Sequence, residues 1–264
     1  MVFIRMCSAF GAGAPSVATL LARTWTQPGG TLSGEVRLRG GDFDTEIERV
    51  GLRLAVRLRP PREAGDRAGI EEFSQAQIAG PAVLRQGADR AIEFRVEVPW
   101  ETPLSEIGGR HLTGLALVVQ AQVTIDTTVG RGDLAMVAVR PVPSQLRVLQ
   151  AFAQLGFPFK SAGLRAGPLG RVQQELPFHQ QIEFYPPSHH AGVVHAIELA
   201  FVPSASGLDL LLGAGVTAGR RSGGERFRMS HEEALRTDWQ SEIDRWLARL
   251  VHHARGDHHR RPRT

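Results

Sequence analysis

Hydrophobic and polar residues alternate with a period of two along most of the first half of the chain. Val50, Leu52, Leu54, Val56 and Leu58 fall on one side of an extended segment and Arg53, Arg57 and Arg59 on the other, which predicts a half-buried strand. A turn at Pro28-Gly29-Gly30, a short strand through Val36 and Leu38 and a hairpin-like turn at Gly40-Gly41-Asp42 precede it. From Pro60 to Gly80 the pattern is polar and broken, and it reads as a loop with at most one weak strand. Alternation returns at Ile92, Phe94, Val96 and Val98, and again from Leu115 to Ile125. A further strand runs from about Leu134 to Val139 and stops at Pro141 and Pro143.

The period then changes. Leu146, Leu149 and Phe152, with Val148 and Leu155 beside them, recur at helical spacing and predict a short connector helix. Beyond Gly170, strands are expected at Gln181–Tyr185, Val193–Val202 and Leu208–Leu212. The last element is a helix. Ser230 stands three residues before Glu233 as a capping box, and Leu235, Trp239, Ile243, Trp246, Leu247 and Leu250 form one apolar stripe closed by Arg255 and Gly256. The pattern predicts a mainly β protein of two tandem β-sandwiches with a connector helix and a C-terminal α-helix. The divisions are 1–141, 142–228, 229–254 and a disordered basic tail, 255–264.

Composition agrees, with 29 Gly and 16 Pro in 264 residues favouring many short strands and turns. Cys7 is the single cysteine, so neither an intramolecular disulfide nor a cysteine zinc site can form, as suits a reducing cytoplasm. The tail's Arg255, Arg260, Arg261 and Arg263 against Asp257 account for +3 of the formal +4, so a general grip on nucleic acid is not indicated. No apolar run is long enough to cross a membrane, and the N-terminus has no signal-type core.

Several strings, taken in order, carry a resemblance: GAPSV, PGGTLSGEVRLRGGDFDTEIERVGLRL, GRHLTGLALVVQAQ, RGDL, LRVLQAFAQLGFPFKSAGLRAG and LPFHQQIEFYPP. Over residues 1 to about 212 the chain resembles the SpoOM family of bacterial sporulation-control proteins, which are arrestin-like. The resemblance implies two arrestin-like sandwiches, no known catalytic centre, and control of sporulation or related division and stress decisions through protein contacts. Ala18, Met136 and Ala138 depart from the more polar residues expected there, and Leu211–Arg221 lacks expected charges.

The remaining motifs carry little chemistry. Gly213, Gly215 and Gly219 have the wrong spacing for a dinucleotide loop and no helix follows them. His189, His190 and His195 lack a third ligand at fixed spacing, and the tail pairs His252-His253 and His258-His259 read as adventitious metal binders. There is no nucleophile elbow, and Glu71-Glu72 and Glu232-Glu233 read as solvated loop and helix-dipole charges. No cofactor is expected.

Three surfaces are candidates for contact. Arg53, Arg57 and Arg59, with Arg62 and Arg67, make a basic strand face for the second sandwich or a partner. Trp239, Ile243, Trp246 and Leu250 line a helix face that docks on its own core or on another subunit or target. Arg260 and Arg261 could recruit acidic groups. The expected function is a non-catalytic cytoplasmic adaptor with protein partners, a homodimer being possible. The alternative is a small-molecule binder or cryptic enzyme using the cleft between the sandwiches.

Overall fold

The structure is a computed structural model, and it describes residues 4–5, 13–58, 69–170, 172–188, 194–216 and 220–258. The chain forms two compact units, one of Met1–Glu106 with Gly114–Arg140, the other of Ile107–Thr113 with Pro141–Thr264.

The first unit holds β1 (Ile4–Arg5), β2 (Ser16–Leu21), β3 (Trp25–Thr26), β4 (Thr31–Arg39), β5 (Thr45–Ile47), β6 (Arg49–Leu58), β7 (Gly69–Ala79), β8 (Ala82–Leu84) and β9 (Asp89–Glu97). The hairpin β10 (Glu106–Ile107) and β11 (Arg110–His111) precedes its last strands, β12 (Leu115–Ile125) and β13 (Thr128–Val139). Two sheets, ordered β1-β2-β4-β9 and β3-β13-β12-β6-β7, stack face to face, and β5 pairs with β8 separately. The register puts Leu117 opposite Val56 and Val119 opposite Leu54, so the alternating apolar positions of β6 and β12 fill one buried layer.

Two differences from the sequence reading stand out here. β7 is a full eleven-residue strand in the stretch Pro60–Gly80 that reads as a loop with at most one weak strand, because its core-facing positions are Ser74, Ala76 and Ile78, and none of its side chains is fully buried. β13 begins at Thr128, six residues before the expected start, and its tight turn is made by Asp126 and Thr127 with φ of 47° and 63°.

In the second unit α1 (Pro143–Gln154) leads into β14 (Phe159–Ala166), β15 (Phe178–Phe184), β16 (Val194–Pro203), β17 (Gly207–Val216) and β18 (Arg220–Ser230), followed by α2 (His231–Arg236) and α3 (Trp239–His258). The five strands form one antiparallel sheet in chain order. Leu199 pairs with Ile182 and Leu212, and Leu210 with Phe227, which collects the apolar residues on one face. Among the described residues the layer over that face is helical. Phe152 of α1 stacks on Phe184 at 4.7 Å between centroids, and Trp239 of α3 meets Phe227 edge-on at 5.5 Å.

β14 and β18 are absent from the sequence reading. FKSAGLRA and RRSGGERFRMS have too few apolar residues to signal a strand, yet both close the sheet at its edges. The expected single C-terminal helix is two. Thr237 leaves helical geometry with ψ of 134°, and Asp238 caps a new start, its Oδ2 accepting from Ser241 Oγ at 2.7 Å. α3 continues to His258, four residues into the stretch expected to be without structure.

Candidate interaction surfaces

The basic face of β6 divides into different environments. Arg53 lies opposite Gln120 of β12 and Gln75 of β7. Its Nε donates to Gln120 Oε1 at 2.7 Å, and its NH1 group donates to Glu72 Oε2 at 3.0 Å. Gln120 Nε2 in turn donates to the carbonyl of Gly132 at 2.6 Å, and Gln75 donates to Glu72. The chain of bonds therefore crosses β7, β6, β12 and β13. With 8% of its side chain exposed, Arg53 is buried and bonded within its own sheet, where the sequence reading has it on an open basic strand face. A buried guanidinium is costly unless its donors find acceptors, and Gln120 and Glu72 supply them. Arg57 is exposed, whereas Arg59, Arg62 and Arg67 lie outside the described residues.

Glu72 and Gln120 escape sequence reading because each is one polar residue in a segment whose pairing is unknown until register is fixed. The available signal is an arginine in the middle of a long alternating strand, which needs an acceptor on an adjacent strand.

Helix α3 turns its apolar stripe inward. Trp239, Ile243, Trp246 and Leu250 are all buried, and the Trp239 indole donates to the carbonyl of Ala234 at 2.8 Å. Gln240 donates to Gln154 of α1 at 2.7 Å, and Arg249 pairs with Glu225 of β18. Of the two readings of this face, the chain's own core occupies it. Upstream, Ser230 and Glu233 form the expected capping box: Glu233 Oε2 accepts from the Ser230 backbone at 2.7 Å and from its hydroxyl at 2.9 Å, and these bonds, the backbone one foremost, hold the Glu233 carboxyl below its ordinary range. Arg260 and Arg261 lie outside the described residues.

His231 ties the second unit together. Its Nδ1 meets Ser144 Oγ at 2.8 Å and its Nε2 the carbonyl of Ser204 at 2.8 Å. A carbonyl only accepts, so Nε2 carries a proton, and α1, the turn between β16 and β17, and α2 are joined through one imidazole.

Glu183 is a heavily engaged carboxylate. Lys160 Nζ lies at 3.0 Å, Gln181 Nε2 at 3.0 Å, Ser161 Oγ at 3.3 Å and Arg165 at 3.7 Å. Burial raises its pKa, but the hydrogen bond and charge of Lys160, helped by Ser161 and Arg165, outweigh that and lower it below the ordinary range. This is a saturated structural carboxylate, facing Glu198 across the ladder. No group of three His, Cys, Asp or Glu side chains among the described residues could hold a metal ion. His195 is exposed on β16, while His189, His190 and Cys7 lie outside the described residues.

A hollow of about 490 Å³ opens within the first unit between the edge strands β7 and β9, floored by Leu52, Leu54, Phe94 and Val96. The charged residues of β9 at its rim, Glu93, Arg95 and Glu97, are exposed, so no buried acid–base pair converges there.

These geometries define a class: a mainly β, two-unit protein whose embedded polar groups serve its architecture. The chain belongs to the SpoOM family, whose model, described as SpoOM protein, matches residues 3–216. It is 24% identical over 210 residues to the sporulation-control protein spo0M of Bacillus subtilis (strain 168), an alignment covering 79% of this chain and 78% of that protein. The crystal structure of Spo0M, sporulation control protein, from Bacillus subtilis shares the fold with a TM-score of 0.77 at 22% identity, covering 90% of this chain and 99% of that one. Among the described residues no helix is long and apolar enough to cross a membrane.

Proposed function

We propose that this protein is a non-catalytic cytoplasmic regulator in the control of sporulation, development or stress response, acting through contacts with other proteins. The observation that carries the reading is the family match over residues 3–216, together with a relative that is named a sporulation-control protein. The engagement of Arg53, Glu183 and His231 in structural bonds supports it, because groups already saturated within the fold are poorly placed to act on a substrate. Exposed sheet edges and loops supply the contact surfaces.

The test is a deletion strain followed through sporulation and stress, with a tagged full-length chain expressed from its own locus and its co-purifying proteins quantified. A developmental defect with a reproducible partner is the expected result. Unchanged development with no enriched protein overturns the reading.

A further inference from the structure

β9 is the outer strand of the sheet β1-β2-β4-β9 and is paired on one side only. Its ladder to β4 runs without a bulge from Glu97 opposite Thr31 to Asp89 opposite Arg39. Just past the two ends, the Val98 amide donates to the carbonyl of Gly30 at 2.9 Å, and the Ala88 carbonyl accepts from the Gly40 amide at 2.8 Å. Even-numbered residues of β9 therefore turn their N–H and C=O groups to β4, and Ala91, Glu93, Arg95 and Glu97 turn theirs outward. Among the described residues no strand receives them. The neighbouring edge, β7, belongs to the other sheet and lies across the hollow.

The side chains of this edge follow a pattern that is alike from both ends. Glu93, Arg95 and Glu97 are exposed on one face, while Ile92 is half-buried and Phe94 and Val96 are buried on the other. About Phe94 the sequence is a chemical palindrome: Glu93 and Arg95 flank it with opposite charges, and Ile92 and Val96 lie beyond them with β-branched apolar side chains. The edge strand β18 instead presents Arg226 and Arg228, and charges of one sign keep an edge from pairing with its own copy.

An identical strand laid antiparallel, Phe94 beside Phe94, uses both the open backbone and the palindrome. A two-fold axis perpendicular to the sheet at that point sets Glu93 opposite Arg95 of the second copy and Arg95 opposite its Glu93. These are outward-facing residues, so each pair exchanges both backbone bonds, as do Ala91 and Glu97. Ile92 comes opposite Val96 on the other face, toward the mouth of the hollow. Other registers fail. An axis at Glu93 or Arg95 sets like charges together, one at Ile92 sets Arg90 against Phe94, and one at Val96 brings Pro99, which has no N–H, into the ladder.

We infer that a second copy of this chain occupies this edge, joining two four-stranded sheets into one of eight across a β9–β9 ladder. The ladder is short, so monomer and dimer exchange with a dissociation constant in the micromolar range.

The test is sedimentation velocity of the full chain over an approximately hundredfold range of concentration spanning that value. The wild type should pass from monomer to dimer. Arg95→Glu and Glu93→Arg each create like-charged pairs across the axis and should weaken dimerisation at least tenfold, with the circular dichroism melt unchanged because both side chains are exposed. Two further samples report the register. An equimolar mixture of the two single variants restores opposite charges at both pairs and should dimerise, as should the double variant Glu93→Arg, Arg95→Glu, which reverses the palindrome without breaking it. A wild type that stays monomeric throughout, single variants that dimerise like the wild type, or a mixture or double variant that stays monomeric overturns the inference. None of these outcomes touches the regulatory reading, which rests on the family match.

Discussion

Replacing Arg53 by alanine tests whether the polar chain across the first unit holds its sheet together. The substitution removes the donor to Gln120 Oε1, a buried acceptor, and the donor to Glu72, which keeps 29% exposure and so recovers part of its solvation. An orphaned buried acceptor costs about 1–3 kcal/mol and a hydrogen bond to a charged group about 1.5–3 kcal/mol, the second discounted here for the exposure of Glu72. A loss of about 3 kcal/mol is expected, read from the urea transition of the first unit by calorimetry and circular dichroism. Glu72→Ala alone should cost about 1 kcal/mol, and the double variant should show a coupling of about 1 kcal/mol between the two positions. A destabilisation by Arg53→Ala below about 0.5 kcal/mol, or zero coupling, would refute the claim that this arginine is satisfied by its own sheet and restore it as a surface charge.

Other expectations concern separate parts of the molecule. Asp126→Asn with Thr127→Gly should stabilise the first unit by about 1 kcal/mol in urea, because a β-branched residue at φ of 63° is replaced by one that adopts it freely. Gly29→Ala should cost more than about 2 kcal/mol, since φ is 69° there and an added methyl would run into the Trp100 ring; Gly80→Ala, with open space around it, should be neutral within about 1 kcal/mol in the same melt. Trp246→Ala leaves a cavity under α3 and should cost about 3–5 kcal/mol in the second unit, with Trp239 emission shifting to the red as it is wetted. The lowered Glu183 carboxyl contributes stability that is present above its unfolded pKa and lost as pH falls through the folded value, so Lys160→Gln should move the acid-unfolding midpoint to higher pH; an unmoved midpoint contradicts the assigned cause.

What could be read from residues alone was whatever depends on periodicity. β6 and β12 are visible because Val50 to Leu58 and Leu115 to Ile125 alternate without interruption, and the capping box at Ser230 and Glu233 is local chemistry. β7 and β18 are hidden for the opposite reason. Their pairing comes from neighbours, Leu52 opposite Ala76 and Leu210 opposite Phe227, and little in EEFSQAQ or RRSGGER announces it. The break between α2 and α3 was legible in Asp238 followed three residues later by Ser241, but a continuous apolar stripe conceals it. Arg53 could be located on its face, while its partners required the register of three strands.

β7 carries a consequence for how the first unit opens. Eleven residues long and without one fully buried side chain, it is held mainly by its backbone ladder to β6 and by Glu72 on Arg53. Amide protons along that ladder should exchange with deuterium far sooner than those between β6 and β12, where both strands are packed. Each such excursion bares Leu52 and Leu54 along a strand edge already in register for pairing. At high concentration the protein's route to aggregation would then run through this subglobal opening, at a rate set by the opening equilibrium and unaffected by the stability of the second unit.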